Sequence, residues 1–225
     1  MQSALSLTVP MPLTACPSDR ASDGVVVHAE VAPHSLAAYA VSAAARGLAE
    51  RVGSRLISAP VRVACLMPSG RPVVLPITDA GPCTVSVAHT RSLLAAAACR
   101  DVGGVGIDIV AAAESSAALD WCFDAAEAAY ANDDSSRARL WAAKEAAYKA
   151  ARIDNGFQPQ RVRISPAGAA RFRWSIAAEF ETVVGVGGWS EAGGHVVAVA
   201  VQPSPGRSLA AGALAINCQE AASCS

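Results

Sequence analysis

The order of strand-like and helix-like segments constrains the fold of this chain more than any other feature of its sequence. Runs of β-branched residues predict strands at 24–31 and 61–67, with an alanine-rich helix at 34–52 between them. Buried strands are predicted at 84–88 and 105–110. The later segments comprise two predicted helices and four predicted short strands: helices 123–131 and 136–152, and strands 161–164, 171–176, 181–186 and 196–201. Because strands and helices do not alternate regularly, the order favours an α+β fold over a doubly wound parallel sheet.

The predicted segments group into two halves of similar size, with helix and strand pieces in a loosely similar order. We assign 24–104 to an N-terminal α+β half and 105–203 to a C-terminal α+β half. Residues 1–23 are predicted to be a loose leader that lacks the basic start and unbroken apolar run of a signal peptide. Residues 204–225 are rich in Ala, Gly and Ser and are predicted to be a flexible tail.

Charge and cysteine content exclude several classes of protein. The 225 residues carry 18 Lys and Arg against 19 Asp and Glu, and the resulting net charge of -1 excludes a strongly basic nucleic-acid binder. No segment of the sequence approaches the roughly 20 apolar residues that a membrane-spanning helix needs. The seven cysteines are scattered without a CxxC pair, which predicts reduced thiols and a cytoplasmic protein.

Lysine is rare in this sequence, and its placement is informative. Arginine occurs 16 times and lysine twice, and both Lys144 and Lys149 fall in the predicted helix 136–152. Trp141, Glu145 and Lys149 form one stripe of that helix, and Lys144 projects to the side of it. One interpretation is a surface helix with an ion pair four residues apart. The other is a phosphate site, because lysine is a compact point charge whose proton moves more easily than that of arginine.

Four further residues could carry chemistry. Asp108 lies inside the apolar run 104–110, where a carboxylate is costly to bury unless it is paired or metal-bound. His89 closes a predicted buried strand, Arg71 lies in a predicted turn, and Glu127 lies in a predicted helix. Each residue taken alone also has a purely structural interpretation. Asp108 could be a hydrogen-bonded acid at a strand end, and His89 could be a core or edge residue. Arg71 could belong to an ordinary turn, and Glu127 could be exposed to solvent.

In combination and in this order, these features resemble the 4′-phosphopantetheinyl transferases. The family's GID strand is similar to Gly106-Ile107-Asp108, and its W-x-x-K-E-A-x-x-K helix is similar to Trp141-Ala142-Ala143-Lys144-Glu145-Ala146-Ala147-Tyr148-Lys149. The long, surfactin-synthetase-activating branch adds a GKP or GRP turn and a serine–histidine strand end. These look like Gly70-Arg71-Pro72 and Ser86-Val87-Ala88-His89-Thr90. The resemblance runs over about 46–201, which is most of the chain.

The sequence departs from the long branch at the acidic residues. That branch usually has a second acid two residues after the aspartate, where this chain has Val110, and the spacing from Asp108 to Trp141 is short for it. The helix motif and the Phe123–Glu127 element look more like those of the short, trimeric holo-acyl-carrier-protein synthases. The length and the His89 element fit the long form, so the resemblance implies a long-type fold with a short-type metal site.

The same resemblance implies a particular arrangement of the chain. Two similar α+β halves would be related by a pseudo-twofold axis, with the metal site in the C-terminal half. The alanine-rich run 93–99 predicts a helix by composition, whereas the resemblance implies a strand there, and we adopt the strand.

The activity implied by the resemblance is transfer of 4′-phosphopantetheine from coenzyme A to a carrier-protein serine, with release of 3′,5′-ADP. Asp108 and Glu145 would hold Mg²⁺. Lys144 and Lys149 would neutralise the pyrophosphate, and Lys149 would help to protonate the leaving group. Either Glu145 or Glu127 would accept the serine proton, directly or through water.

For the nucleotide end, the resemblance implies that His89 holds the 3′-phosphate of coenzyme A. Arg71 and Arg46 are further candidates for nucleotide or phosphate contacts. The expected partners are coenzyme A and an apo acyl or peptidyl carrier protein of fatty-acid, polyketide or nonribosomal peptide biosynthesis. We expect a monomer, with no nucleic-acid or membrane partner.

Two other functions remain open. The first is a catalytically impaired module that binds coenzyme A or a carrier protein, which Val110 makes conceivable. The second is an unrelated Mg²⁺-dependent phosphohydrolase built on Asp108, although that class generally uses more acids near the strand end.

Overall fold

The computed structural model describes residues 25–66, 71–75, 83–114, 117–153, 156–178, 181–205 and 214–220. The helices are α1 (Ala38–Ile57), α2 (Ala125–Tyr130) and α3 (Asp134–Ala151), with short 3₁₀ turns at Ala112–Glu114, Ala117–Cys122 and Pro159–Arg161. The strands are β1 (Val25–Pro33), β2 (Arg62–Leu66), β3 (Arg71–Leu75), β4 (Cys83–His89), β5 (Leu93–Arg100), β6 (Gly104–Ala111), β7 (Val162–Pro166), β8 (Arg171–Ala177), β9 (Thr182–Ala192), β10 (His195–Gln202) and β11 (Leu214–Glu220).

Two sheets and a hairpin organise these strands. The first sheet has the order β11-β1-β5-β4 and the second has the order β6-β10-β9-β8-β7, while β2 and β3 pair with each other. All pairings are antiparallel except that of β1 with β11, which is parallel. The predicted α+β class is therefore confirmed.

The elements stack in four layers. Helix α1 buries Leu48 and Val52 against Leu94 and Ala96 on one face of the first sheet. The other face of that sheet packs on the second sheet. Helix α3 covers the outer face of the second sheet with a row of alanines, and one of them, Ala146, is fully buried. Each sheet is thus sandwiched between a helix and the other sheet.

Strand β5 explains why so much alanine can belong to a sheet. Composition predicts a helix at 93–99, and that expectation is wrong, whereas the strand implied by the family resemblance is confirmed. Ala96 and Ala98 face α1, while Ala95 and Ala97 face the second sheet. All four are fully buried, because β5 is a central strand with both faces covered and small side chains let both layers approach closely.

Two glycines set the distance between β6 and α3. A Cβ at Gly104 would collide with the carbonyl oxygen of Ala150, and a Cβ at Gly106 would collide with that of Ala146. The strand therefore lies against the helix backbone itself, which fixes the register of the two elements.

Helix α3 begins at a side-chain cap. The Asp133 carboxylate accepts a hydrogen bond from the Ser136 N–H at 2.7 Å, and the Ser136 hydroxyl accepts one from the Asp133 N–H at 3.1 Å. This reciprocal capping box, together with the burial of the alanine face, fixes the start of the helix near the predicted position.

The C-terminal prediction requires correction. Residues 214–220 form β11 and pair with β1 from Val25 to Val31, so the predicted flexible tail at 204–225 is wrong for that segment. The composition of small residues hides an alternating run, Leu214-Ala215-Ile216-Asn217-Cys218, that suits an edge strand. The predicted leader at 1–23 lies outside the described residues.

Cys65, Cys83, Cys99 and Cys122 are free thiols. Of the helices that the structure describes, none is long and apolar enough to cross a membrane.

Candidate active site

Strand β6 carries Asp108, the candidate metal-binding acid. Its side chains alternate, so that Ile107 and Ile109 enter the core between the two sheets. Gly104 and Gly106 face α3, and Asp108 continues that face where no glycine is needed. Asp108 is 5% exposed, so its carboxylate is almost fully removed from bulk water and requires a partner.

Lys149 of α3 supplies that partner. Its Nζ lies 2.7 Å from the Asp108 Oδ1 and donates a second hydrogen bond to the carbonyl oxygen of Ile107 at 3.1 Å. The Oε2 of Glu145, one helical turn earlier, lies 3.9 Å from the same Nζ. The predicted stripe of Glu145 and Lys149 therefore exists and faces β6.

Glu145 is held in an electrostatically strained position. The pKa of its carboxyl is raised from 4.5 to about 7, first by burial and then by the neighbouring Asp108 carboxylate. Lys149 and a hydrogen bond from the Trp141 indole act in the opposite direction. The Asp108 and Glu145 carboxylates thus lie close together with the single ammonium group of Lys149 to compensate their charge.

This donor set fits a hard divalent cation. Magnesium in proteins takes oxygen ligands, commonly one or two carboxylates together with waters and substrate phosphates. A cation between Asp108 and Glu145 would neutralise the repulsion that raises the Glu145 pKa. Among the residues that the structure describes, no group of three or more His, Cys, Asp or Glu side chains is placed to hold a metal.

Val110 occupies the position where a third acid would lie. It is two residues beyond Asp108 and therefore on the same face of β6. The side chain is partly buried and packs against the apolar cluster under α3. Val110 offers no oxygen ligand at this point, so a metal bound by Asp108 and Glu145 would take its other ligands from waters and substrate.

Lys144 and Glu127 both belong to the interior. Lys144 is 1% exposed and Glu127 is 2% exposed, and the Lys144 Nζ lies 2.8 Å from the Glu127 Oε2. The same Nζ donates hydrogen bonds to the carbonyl oxygens of Pro159, at 3.1 Å, and Val162. Lys144 is thus enclosed by protein groups, and its contact with a pyrophosphate stays a prediction.

The Glu127 carboxylate is equally occupied. Its Oε1 accepts a hydrogen bond from the Ile164 N–H at 2.7 Å, and its Oε2 accepts one from the Asp124 N–H at 3.0 Å in the capping box of α2. In this structure the Glu127 carboxylate is held by Lys144 and by two backbone N–H groups, and its role as acceptor of the serine proton stays a prediction. The pair ties α2, α3 and β7 together and holds α3 in position.

A cleft of about 320 Å³ opens beside Lys149. It is bounded by β3, β4, the start of β6 and the end of α3. Its lining residues are Arg71, Pro72, Thr84, Val85, Ser86, Val87, Val105, Tyr148, Lys149, Arg152 and Ile153. A concave site with three cations and an apolar floor suits a ligand that combines phosphates with an apolar portion.

The structure brings some predicted binding residues to this cleft and leaves others away from it. Arg71, which begins β3, lines the cleft, while Gly70 of the predicted turn lies outside the described residues. His89 is exposed at the end of β4, and Arg46 is exposed on α1. Neither is among the described residues that line the cleft.

Ser86 and Arg152 were missed as contributors to this region by sequence reasoning. The Ser86 hydroxyl accepts a hydrogen bond from the Ile107 N–H at 3.1 Å, which joins β4 to β6. Arg152 follows α3 directly and lines the cleft. A signal existed for Ser86, because a hydroxyl in an otherwise apolar strand needs a partner.

Comparison with known proteins gives one match, to the region that contains β6 and α3. A family model described as 4′-phosphopantetheinyl transferase superfamily matches residues 104–200, which extend from the start of β6 into β10. The matched region contains Asp108, Glu145 and Lys149. The curated proteins gave no match to the chain.

Proposed function

We propose that this protein transfers the 4′-phosphopantetheine group of coenzyme A to a serine of an acyl or peptidyl carrier protein and releases 3′,5′-ADP. The observation that carries the proposal is the meeting of Asp108, Glu145 and Lys149 beside the cleft, within the region that matches the family model. Paired carboxylates next to a lysine are suited to a reaction in which negative charge grows on phosphate oxygens.

Asp108 and Glu145 would hold Mg²⁺. When bound there, the ion supplies charge stabilisation for the pyrophosphate oxygens. The chain's own contribution is positional. Glycine-mediated contact between β6 and α3 fixes the two carboxylates relative to each other, and the buried pair of Lys144 and Glu127 fixes α3 against β7.

Lys149 would help to protonate the leaving group of the reaction, 3′,5′-ADP. Its ammonium group neutralises charge near the Asp108 carboxylate in the ligand-free protein, and it can donate a proton to the phosphate oxygen of the departing 3′,5′-ADP. Because Glu127 is enclosed, Glu145 is the candidate that we favour to accept the proton of the carrier serine, directly or through a water.

We also propose that the two halves are related by a pseudo-twofold axis. Each half contributes one sheet covered by one long helix, α1 on the first sheet and α3 on the second, and the two sheets pack face to face. The cleft lies between the halves, so residues from both would hold coenzyme A. Such an arrangement supports a site within one chain, as a monomer requires.

The direct test is a mass measurement. The protein is incubated with coenzyme A, Mg²⁺ and a panel of apo carrier proteins, and each carrier is examined for a covalent phosphopantetheine adduct. We expect an adduct on at least one carrier and none when Asp108→Asn replaces the wild-type protein. Absence of an adduct on every carrier would reject the transferase, and release of inorganic phosphate would favour the phosphohydrolase.

A second candidate function rests on Val110. Its apolar side chain at the third-acid position supports a module that binds coenzyme A without transferring from it. Such a module would bind coenzyme A in a calorimeter but would leave every carrier protein unmodified in the mass measurement.

A further inference from the structure

The residue that ends α3 adopts an unfavourable backbone conformation. Arg152 has a φ of 55° and a ψ of 33°, which is the left-handed region that favours glycine. Ser58 and Asp101 share this conformation among the described non-glycine residues, and Arg152 is the one of the three that lines the cleft. A large side chain that is kept in such a backbone at a binding cleft indicates a role for that side chain.

The side chain of Arg152 packs beside Gly104. A Cβ at Gly104 would lie 3.2 Å from the Arg152 Cδ, so the absence of a side chain at Gly104 makes room for the arginine stem. Arg152 is half-buried, and its guanidinium makes no ion pair or hydrogen bond with any other described residue. A partly desolvated cation without a partner lacks charge compensation, and an anionic ligand would supply it.

The position of Arg152 separates it from the paired carboxylates. It lies seven residues after Glu145, which corresponds to about 10 Å along the helix. Gly104, beside it, lies four residues before Asp108, or about 13 Å along the strand. These spacings leave room for a second anionic group beside the one that Asp108 and Glu145 would hold through a metal.

We propose that Arg152 binds the phosphate monoester on the ribose of coenzyme A, the 3′-phosphate, while the pyrophosphate lies beside Lys149. This inference rests on the proposed function and assigns one end of its substrate. Arg71 lines the same cleft and is a second cation near that phosphate. A guanidinium suits this task because its planar fork can donate two parallel hydrogen bonds to phosphate oxygens.

The test compares two ligands that differ by this one phosphate. Binding of coenzyme A and of 3′-dephospho-coenzyme A is measured by calorimetry with Mg²⁺, for the wild type, Arg152→Gly and Arg152→Lys. Glycine suits the left-handed backbone, so Arg152→Gly removes the cation without adding strain. We expect Arg152→Gly to weaken coenzyme A binding about 10- to 100-fold, as loss of a charge-assisted contact does, and Arg152→Lys to weaken it less.

The 3′-dephospho ligand provides the control. We expect it to bind the wild type and Arg152→Gly with Kd values within about twofold of each other, since a ligand without the phosphate loses nothing when its partner is removed. Equal weakening of both ligands, or no weakening of either, would overturn the assignment of Arg152. If the wild type binds coenzyme A and modifies a carrier while Arg152→Gly is unaffected, the proposed function stands and this inference fails. If the wild type binds no coenzyme A, both fail.

Discussion

The hydroxyl of Ser86 accepts a hydrogen bond from the backbone N–H of Ile107 across a sequence separation of 21 residues. Ser86 is 4% exposed, and Ile107 immediately precedes Asp108, the candidate metal ligand. The carbonyl oxygen of Ile107 accepts a hydrogen bond from Lys149. The backbone of Ile107 therefore connects the first sheet with Asp108 and with the helix that carries Lys149, and we predict that Ser86 positions Asp108.

Replacement of Ser86 by alanine should destabilise the protein and displace Asp108. The buried Ile107 N–H would lose its acceptor, which costs about 1–3 kcal/mol. Urea unfolding measures that loss in the free energy of unfolding. If Ser86 positions the site, transfer activity should also fall through kcat more than through the KM for coenzyme A.

Thr84→Val is a matched control for Ser86→Ala. Thr84 lies in the same strand and lines the same cleft, but its hydroxyl donates a longer bond, at 3.4 Å, to Cys99 within the first sheet. We expect Thr84→Val to leave kcat close to the wild-type value. An equal fall in kcat for both variants would show that the link from Ser86 to β6 has no special role.

The buried pair of Lys144 and Glu127 predicts a strongly non-additive response to mutation. Lys144→Met leaves the Glu127 carboxylate buried without its counter-charge, which costs about 3–5 kcal/mol for pairs of this kind. The double variant Lys144→Met/Glu127→Gln should recover much of that loss, because the amide oxygen can still accept from the Ile164 N–H.

Chemical denaturation of the two single variants and the double variant forms a thermodynamic cycle. Additive losses would contradict a coupled buried pair. Lys149→Met serves as the comparison, since the side chain of Lys149 is 30% exposed and its removal should cost less stability while abolishing transfer.

The raised pKa of Glu145 predicts a pH dependence of stability in the metal-free protein. The carboxyl titrates at 4.5 when unfolded and at about 7 when folded, so folding favours its protonated form. This contribution to stability is complete below pH 4.5 and is lost as pH rises through 7. The Glu145→Gln variant has no carboxyl at this position, so this pH-dependent part of the free energy of unfolding is absent from it.

Thermal unfolding in EDTA from pH 4 to pH 8 measures this difference. The melting temperature of Glu145→Gln relative to the wild type should rise between pH 4.5 and pH 7 and then become constant. At pH 8, added Mg²⁺ should raise the melting temperature of the wild type more than that of Glu145→Gln. A difference that is independent of pH would refute the raised pKa.

Local sequence patterns predict the parts of the fold that depend on local structure. The capping residues and the alanine face locate α3, and short apolar runs locate β4, β6 and β10. Composition fails at β5, because burial on both faces selects small side chains there against their usual preference for helix. It also fails at β11, whose strand pairs in parallel with β1, almost the full length of the chain away.

The candidate site divides in the same way. Helical periodicity predicts that Glu145 and Lys149 share one stripe, and the family resemblance implies that Asp108 lies beside them. The structure brings the three side chains together. Lys144 was assigned to that site although it lies in register with Leu140 and Ala147, four residues before and three after, both fully buried. That spacing is the signal of a core-facing position and could have identified Lys144 as interior.

The contacts that tertiary packing creates cannot be read from periodicity, even where a residue such as Ser86 signals that it needs a partner. Ser86 and Arg152 come close to β6 because the two sheets meet at β4 and because α3 ends beside Gly104. Neither relationship follows from a period of 2 or 3.6, so a single sequence cannot show it.

Restoring an acid at Val110 tests whether the site binds a metal through β6. Val110 shares the face of Asp108, so Val110→Asp would add a third carboxylate beside Asp108 and Glu145. Without metal, the extra charge should lower the melting temperature, because it raises the repulsion that already acts on Glu145. With Mg²⁺, the additional oxygen ligand should lower the Mg²⁺ concentration for half-maximal transfer by about tenfold, a typical effect on metal affinity for one added charged ligand.

Val110→Asn, which offers an oxygen without the charge, should give a smaller change. If Val110→Asp requires more Mg²⁺ than the wild type, the metal does not lie between the β6 carboxylate and Glu145.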